Sequence, residues 1–199
     1  MDRNGGGAAW AMLSSAAATA RLLAARRLAL RKGWVGRRLG FADGDTAVVF
    51  RETVLLGEPT VEPATLVVAF RLRLVGSRRL MQLLFRLECI ANTPLFAGFP
   101  GFRTKLWALD ARSGVYRGVY QWDGAERAER YATALTALLR LVCEQGSVRH
   151  HVVPGLSRDA FLADPARAGT PDPSGTDTWW RLREPVPGPA EHGTLPAAG

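Results

Sequence analysis

At 199 residues, 47% of them hydrophobic, the chain has enough apolar material for one domain of ordinary size with tails. The net charge of +8 invites a nucleic-acid role. However, residues 1–40 hold eight basic side chains against Asp2 alone, which leaves 18 basic and 17 acidic elsewhere, so no nucleic-acid partner is expected. No run reaches the ~18 apolar residues of a membrane span, and with two dispersed cysteines and three histidines neither a disulfide framework nor a metal centre is expected.

Residues 1–33 open on a Gly run and continue as AAWAMLSSAAATARLLAARRLALRK, high in helix propensity but with arginines spread around the wheel. This is a basic leader, helical or disordered. Its two readings are a contact with phosphates or anionic lipid and a solvated Ala/Arg helix, and the second is preferred. Ala18-Thr19-Ala20 imitates a signal-peptide cleavage site, yet the strong positive charge follows the apolar stretch instead of preceding it. The expected location is therefore the cytoplasm. Met12 is an alternative start.

Asp43-Gly44, flanked by Leu39 and Phe41 on one side and Val48 and Phe50 on the other, predicts a β-hairpin over 34–42 and 45–55. GEPTVEPA follows as a Pro-bearing link. A strand is predicted over 65–75. Leu66, Val68, Phe70, Leu72 and Leu74 form its bulky face, while Thr65, Val67, Ala69, Arg71 and Arg73 look into something roomier or wetter. Ser77 caps a helix over 78–91, with Leu80, Leu83, Leu84, Leu87 and Ala91 as its buried stripe. Strands over 102–109 and 115–122 turn at Ser113-Gly114. Asp123 with Glu126 three residues on predicts a capping box. The helix it opens buries Ala128, Tyr131, Leu135, Leu138, Leu139 and Val142 and stops at Gly146. Cys89 and Cys143 each fall inside a predicted helix and read as buried, reduced thiols. A last strand over 147–153 and a short helix over 158–163, capped by Ser157, complete a domain spanning 34–163. Seven of the twelve prolines lie in 165–199, so 164–199 reads as a largely disordered tail. Trp179-Trp180 is its exception, expected to dock on the domain or on a partner subunit.

From residue 65 the order is βαββαβ, the ferredoxin-like α+β pattern, with both helices on one face of an antiparallel sheet. The other face needs a cover. Beyond the N-terminal hairpin and the tail the monomer has nothing to offer, and a second copy is the economical answer. A homodimer whose two sheets enclose a central space is expected.

Pro100-Gly101-Phe102, Lys105 and Trp107, then Gly118-Val119-Tyr120, the aromatic Trp122, and Ala128 with Tyr131 together resemble the dimeric α+β barrel superfamily. The likeness is to its YdhR-like monooxygenase branch, related to the antibiotic-biosynthesis monooxygenases, over about residues 65–153. The resemblance implies a dimeric α+β barrel with a small-molecule ligand in the barrel cavity. It also implies an oxidoreductase that uses no cofactor: a phenol or enol is deprotonated in a dry cavity and its anion reacts directly with oxygen. The protein then supplies an apolar pocket, a base and a cation. The superfamily also holds cyclases, haem-degrading enzymes and members without demonstrated chemistry, so the fold leaves function open.

Strand parity groups Tyr116, Gly118, Tyr120 and Trp122 on one face of their strand, and Arg103, Lys105, Trp107 and Leu109 on one face of theirs. Gly118 leaves space beside Tyr120. Trp107 is either a cavity wall or interface packing. Lys105, Arg117 and Arg71 are either holders of an anionic ligand or rim cations. Tyr120 is a candidate donor to a substrate oxygen. His150 and His151 are adjacent on a strand, so one of them faces the barrel interior, as a general base, a haem ligand, or a histidine bonded to its neighbour. Parity does not choose between them. The leading reading is a cofactor-independent monooxygenase of an aromatic or polyketide-like small molecule. Its rivals are a non-catalytic small-molecule-binding or partner-interaction module on the same scaffold, and a haem-binding or haem-degrading protein.

Overall fold

The computed structural model describes residues 27–57, 59–73, 96–169 and 178–188. Seven strands form one sheet: β1 (Leu28–Arg31), β2 (Arg38–Gly40), β3 (Thr46–Leu55), β4 (Pro63–Arg71), β5 (Phe102–Leu109), β6 (Val115–Asp123) and β7 (Arg149–Pro154). Their order is β1-β3-β5-β6-β4-β7, with β2 also on β3, and every pairing is antiparallel. Strand β6 runs between β4 and β5 and opposite to both. Those two are therefore parallel to each other. The β5-β6-β4-β7 order is that of a ferredoxin-like α+β fold. Helix α1 (Ala125–Leu139) packs on β4, β6 and β7. The helix predicted over 78–91, and Cys89 within it, lie outside the described residues.

Local chemistry departs from the sequence reading at several points. Leu28–Arg31, inside the segment read as a leader, pairs with β3 from Leu28↔Leu55 to Arg31↔Glu52. Only Arg38–Gly40 of the predicted strand over 34–42 enters the sheet. Residues 33–36 turn instead, helped by Gly36 at φ 87°. The capping box does not form, because Gly124, at φ 99°, is the N-cap of α1. The Asp123 carboxylate instead accepts from the amides of Val61 (2.8 Å) and Glu62 (2.9 Å) and pairs with Arg103 and Arg127. Helix α1 also ends at Leu139, seven residues before Gly146, so Val142 is 50% exposed. Cys143 is buried just beyond it, bridged in antiparallel fashion to Leu72.

Both faces of β4 are buried from Ala64 to Phe70. On one side, Leu66, Val68 and Phe70 pack with Phe96, Phe102, Trp107, Tyr120 and Trp122 against Tyr131 and Leu135 of α1. For the other side the sequence makes a second copy of the chain the economical cover, and here the structure differs. Val67, Ala69, Leu106, Ala108 and Val119 are covered by Trp34, Leu39 and Phe41 of the N-terminal hairpin. Phe161 and Leu162 of the short helix α2 (Arg158–Ala163) and Trp179, Trp180, Leu182 and Val186 of the C-terminal segment complete the cover. Ser157 caps α2 as predicted, accepting from the Ala160 amide.

The C-terminal segment is docked by backbone as well as by side chains. Ala42 N donates to Arg181 O and Arg183 N to Gly40 O, both at 2.9 Å, around an antiparallel Phe41↔Leu182 bridge. Val186 N donates to Leu162 O at 2.8 Å. Trp179 and Trp180 are only 5% and 3% exposed. The face that motivated a twin is thus sealed from within the chain.

Candidate functional site

The seven residues singled out from sequence fall on opposite sides of the sheet. On the α1 side, Lys105 of β5 stands directly across from Tyr120 of β6, and Trp107 across from Gly118. The Lys105 side chain is 2% exposed. Its Nζ lies 2.9 Å from the Trp107 ring centroid and 4.5 Å from those of Phe96 and Tyr120. An ammonium drawn from water against aromatic faces recovers about 2 kcal/mol or more from the ring quadrupoles. Gly118 makes this packing possible. A Cβ there would sit 2.5 Å from Cε2 of Tyr120, whose ring lies over the glycine. The space left by Gly118 is filled by the tyrosine itself.

Tyr120 reaches Tyr131 of α1, hydroxyl to hydroxyl at 3.4 Å, with the rings 5.6 Å apart. Burial pushes the Tyr120 phenol well above its ordinary range, and the neighbouring Tyr131 pushes the same way. Burial also raises Tyr131, opposed by its hydrogen bond with Tyr120. Both phenols therefore stay protonated at any ordinary pH, which makes the pair a hydrogen-bond donor and not a base. Polar atoms of this layer buried without a hydrogen-bond partner among the described residues include Trp107 Nε1, Trp122 Nε1 and Oγ1 of Thr53, the β3 residue paired with Lys105. A buried polar group left unmatched costs about 1–3 kcal/mol. The cluster is thus a cation, an indole N–H and hydroxyl groups set in an apolar layer, able to hold a negative charge against a planar ring.

The remaining candidates lie elsewhere. Arg117, with no side-chain exposure, points to the second face, where Nη2 pairs with Asp43 (2.5 Å) and Asp45 (2.9 Å). Its Nη1 donates to Trp179 O at 2.8 Å, and its guanidinium lies 4.1 Å from the Phe41 ring. Arg117 therefore ties the hairpin turn and the C-terminal segment to the sheet. Arg71 sits at the end of β4 in a half-exposed pair with Glu144 at 3.3 Å. His150 faces α1, its Nε2 2.9 Å from Glu129 and its Nδ1 3.4 Å from Thr136, outside the Lys105 cluster. His151 faces the other way and stacks on Trp180 with centroids 3.9 Å apart and planes 7° from parallel. One histidine per face is what alternation requires, but neither joins Lys105 and Tyr120.

Sequence reasoning missed Thr53, Phe96 and the Tyr131 hydroxyl. Tyr131 was visible as part of an apolar helical stripe and of the family resemblance, but not as a hydroxyl facing Tyr120. Thr53 lay in the hairpin, outside the stretch that carried the resemblance, and nothing in its own surroundings marks it. No group of His, Cys, Asp or Glu among the described residues is arranged to hold a metal ion.

No family model matches the sequence, and no curated protein does. Among solved structures, the chain is similar to an uncharacterized ferredoxin-fold protein related to antibiotic biosynthesis monooxygenases from Listeria monocytogenes. The identity is 11% over 57% of this chain and 66% of that one, with a TM-score of 0.41. It is also similar to a monooxygenase-like protein from Listeria innocua, at 12% identity over 56% of this chain and 65% of that one, with a TM-score of 0.37. A heme-degrading enzyme from Listeria monocytogenes is similar at 14% identity over 67% of this chain and 90% of that one, with a TM-score of 0.39. The chain spans just under two thirds of the length of the first two.

Proposed function

We propose that the protein binds a planar aromatic or enolic small molecule as its anion, on the α1 side of the sheet, with Lys105 as the cation that holds it. The observation that carries this reading is the buried ammonium ringed by Phe96, Trp107 and Tyr120. The atoms around it, Trp107 Nε1 and the Tyr120–Tyr131 hydroxyl pair, are hydrogen-bond donors. Electron-poor edges and donors suit an oxyanion, and π faces suit the ring that carries it.

Oxygenation of the bound anion is the second reading, favoured by the buried cation and the tyrosine hydroxyls that can donate hydrogen bonds to a developing peroxide. An enolate or carbanion that adds molecular oxygen forms a peroxide anion, which needs its charge held in a dry site and then a proton. Loss of water from the hydroperoxide leaves a carbonyl, so that a CH₂ and O₂ give C=O and H₂O with no further reductant. In this reading the substrate loses its first proton to a group outside the Lys105 cluster, since His150 and His151 lie apart from it. Haem ligation has less support: both ring nitrogens of His150 are engaged, and the His151 ring is stacked flat on Trp180.

The test is a titration with 1-hydroxy-2-naphthoate, read by quenching of tryptophan fluorescence. Saturable quenching is expected, weakened about tenfold (~1.4 kcal/mol) in Lys105→Met and in Tyr120→Phe, with circular dichroism confirming that each variant is folded. Unchanged affinity in both folded variants would remove Lys105 and Tyr120 from the site. Oxygen uptake with an anthrone as substrate then separates binding from turnover.

A further inference from the structure

The ribbon from Leu28 to Gly40, far from the Lys105 cluster in character, offers cations and apolar groups to solvent together. Leu30 is 66% exposed and Val35 42% exposed. Arg31, Lys32 and Arg38 beside them in the chain are exposed as well, and none of the three enters an ion pair among the described residues. The ribbon is held in shape from below. Trp34, 3% exposed, anchors the turn in the core. Gly36 N donates to Val49 O at 2.7 Å, and Val35 N to Lys32 O at 3.1 Å. Val35 and the neighbouring cations are thus presented outward by a fixed turn, at the outer edge of the sheet.

The sequence around the ribbon has one sign. From Arg3 to Ala42 no acidic residue occurs, and the residues before Arg27 add Arg3, Arg21 and Arg26 together with Trp10, Met12, Leu13, Leu22 and Leu23. A solvated basic face has no use for bare Leu and Val, and neither does a phosphate groove of nucleic acid, which rewards cations and hydrogen-bond donors. A bilayer interface takes both kinds of group, anionic headgroups for Arg and Lys and the acyl boundary for the apolar side chains. Among the described residues no helix is long and apolar enough to cross a membrane.

We propose that the β1–β2 ribbon is a peripheral docking surface for an anionic lipid bilayer. This proposal does not depend on the ligand site.

The experiment is co-sedimentation of the full chain with vesicles of phosphatidylcholine alone and of phosphatidylcholine mixed with phosphatidylglycerol, at low and high salt. Binding is expected to the mixed vesicles only, and to fall with salt. Replacing Arg31, Lys32 and Arg38 together by Gln is expected to weaken it on the order of a hundredfold, about fivefold per charge. Leu30→Ser with Val35→Ser is expected to weaken it as well. All five side chains are exposed, so the folded domain is retained. Equal binding to neutral vesicles, no binding to either kind, or indifference to the three Gln substitutions would overturn the proposal. So would tighter binding to duplex DNA that ignores the two Ser substitutions, because the ribbon would then be a nucleic-acid surface.

Discussion

Arg117→Met is the perturbation that tests most directly how this fold closes itself. The side chain has no solvent exposure, whereas its partners Asp43 and Asp45 keep 24% and 15% of theirs. Removing one member of a fully buried ion pair costs about 3–5 kcal/mol, because the survivor is stranded. Here the carboxylates can turn toward water, so that cost is discounted. Orphaning the Trp179 carbonyl, which accepts from Nη1 at 2.8 Å, adds about 1–3 kcal/mol. Met fills most of the volume and adds little strain, so a net loss of about 3 kcal/mol is expected, a large share of an ordinary domain's 5–15 kcal/mol. The assay is urea unfolding followed by tryptophan fluorescence. With a slope near 2 kcal/mol/M the midpoint should fall by about 1.5 M. The double variant with Asp45→Asn should cost less than the sum of the single ones by about 1 kcal/mol or more. A midpoint shift below about 0.5 M, or strict additivity, would refute the clamp. The sealed second face would then need another explanation, and the second copy expected from sequence would be the first to try.

Two further outcomes follow from single contacts. Gly118→Ala places a Cβ 2.5 Å from Tyr120 Cε2, so it should destabilise by about 1–3 kcal/mol through overpacking. Calorimetry should show the loss recovered in part by Gly118→Ala combined with Tyr120→Leu, and no loss at all would mean the Tyr120 ring does not rest there. Asp123 concerns pH. Its carboxyl is held below its usual range by the Glu62 amide, against opposing burial, with further help from the Val61 amide, Arg103 and Arg127. A depressed folded-state value contributes stability that is present above the unfolded value of about 3.9 and is lost as pH falls through the folded one. Asp123→Asn should therefore be less stable than the parent at neutral pH, with the gap narrowing below about pH 4. A gap of constant size across that range would show that the carboxylate's charge is not what matters.

What could be read from the sequence was whatever depends on period and local turn chemistry. Alternation put Lys105, Trp107 and Tyr120 on one side of the sheet because the register between β5 and β6 runs without a break from Thr104↔Gln121 to Leu109↔Tyr116. The Asp43-Gly44 turn and the Ser157 cap were legible for the same reason, since each is decided by a few adjacent residues. What failed depended on distant partners. Asp123 carries the signature of a capping residue, but two amides of the 59–62 loop and two arginines compete for its carboxylate and win. Leu28–Arg31 looked helical because Ala, Leu and Arg favour helices locally, while the β3 edge that recruits them lies some twenty residues on. The C-terminal segment is Pro-rich and so read as loose. Its order comes from Trp179 and Trp180 docking on the sheet face, as the adjacent pair predicts, and from the Arg117 bond to the Trp179 carbonyl, which composition does not show.

Arg117 and Lys105 sit on neighbouring strands and looked equally apt for an anionic ligand. Their different surroundings give them different work. A ligand at Arg117 would have to displace two carboxylates and a main-chain carbonyl already within 2.9 Å of its terminal nitrogens. Each exchange would strip a charge-assisted bond and loosen both the hairpin turn and the C-terminal segment. Around Lys105 stand the π faces of Phe96, Trp107 and Tyr120, surfaces on which an aromatic body can stack. The second face is therefore spent on holding the chain together, and the α1 face is the side of the sheet on which binding chemistry is to be sought.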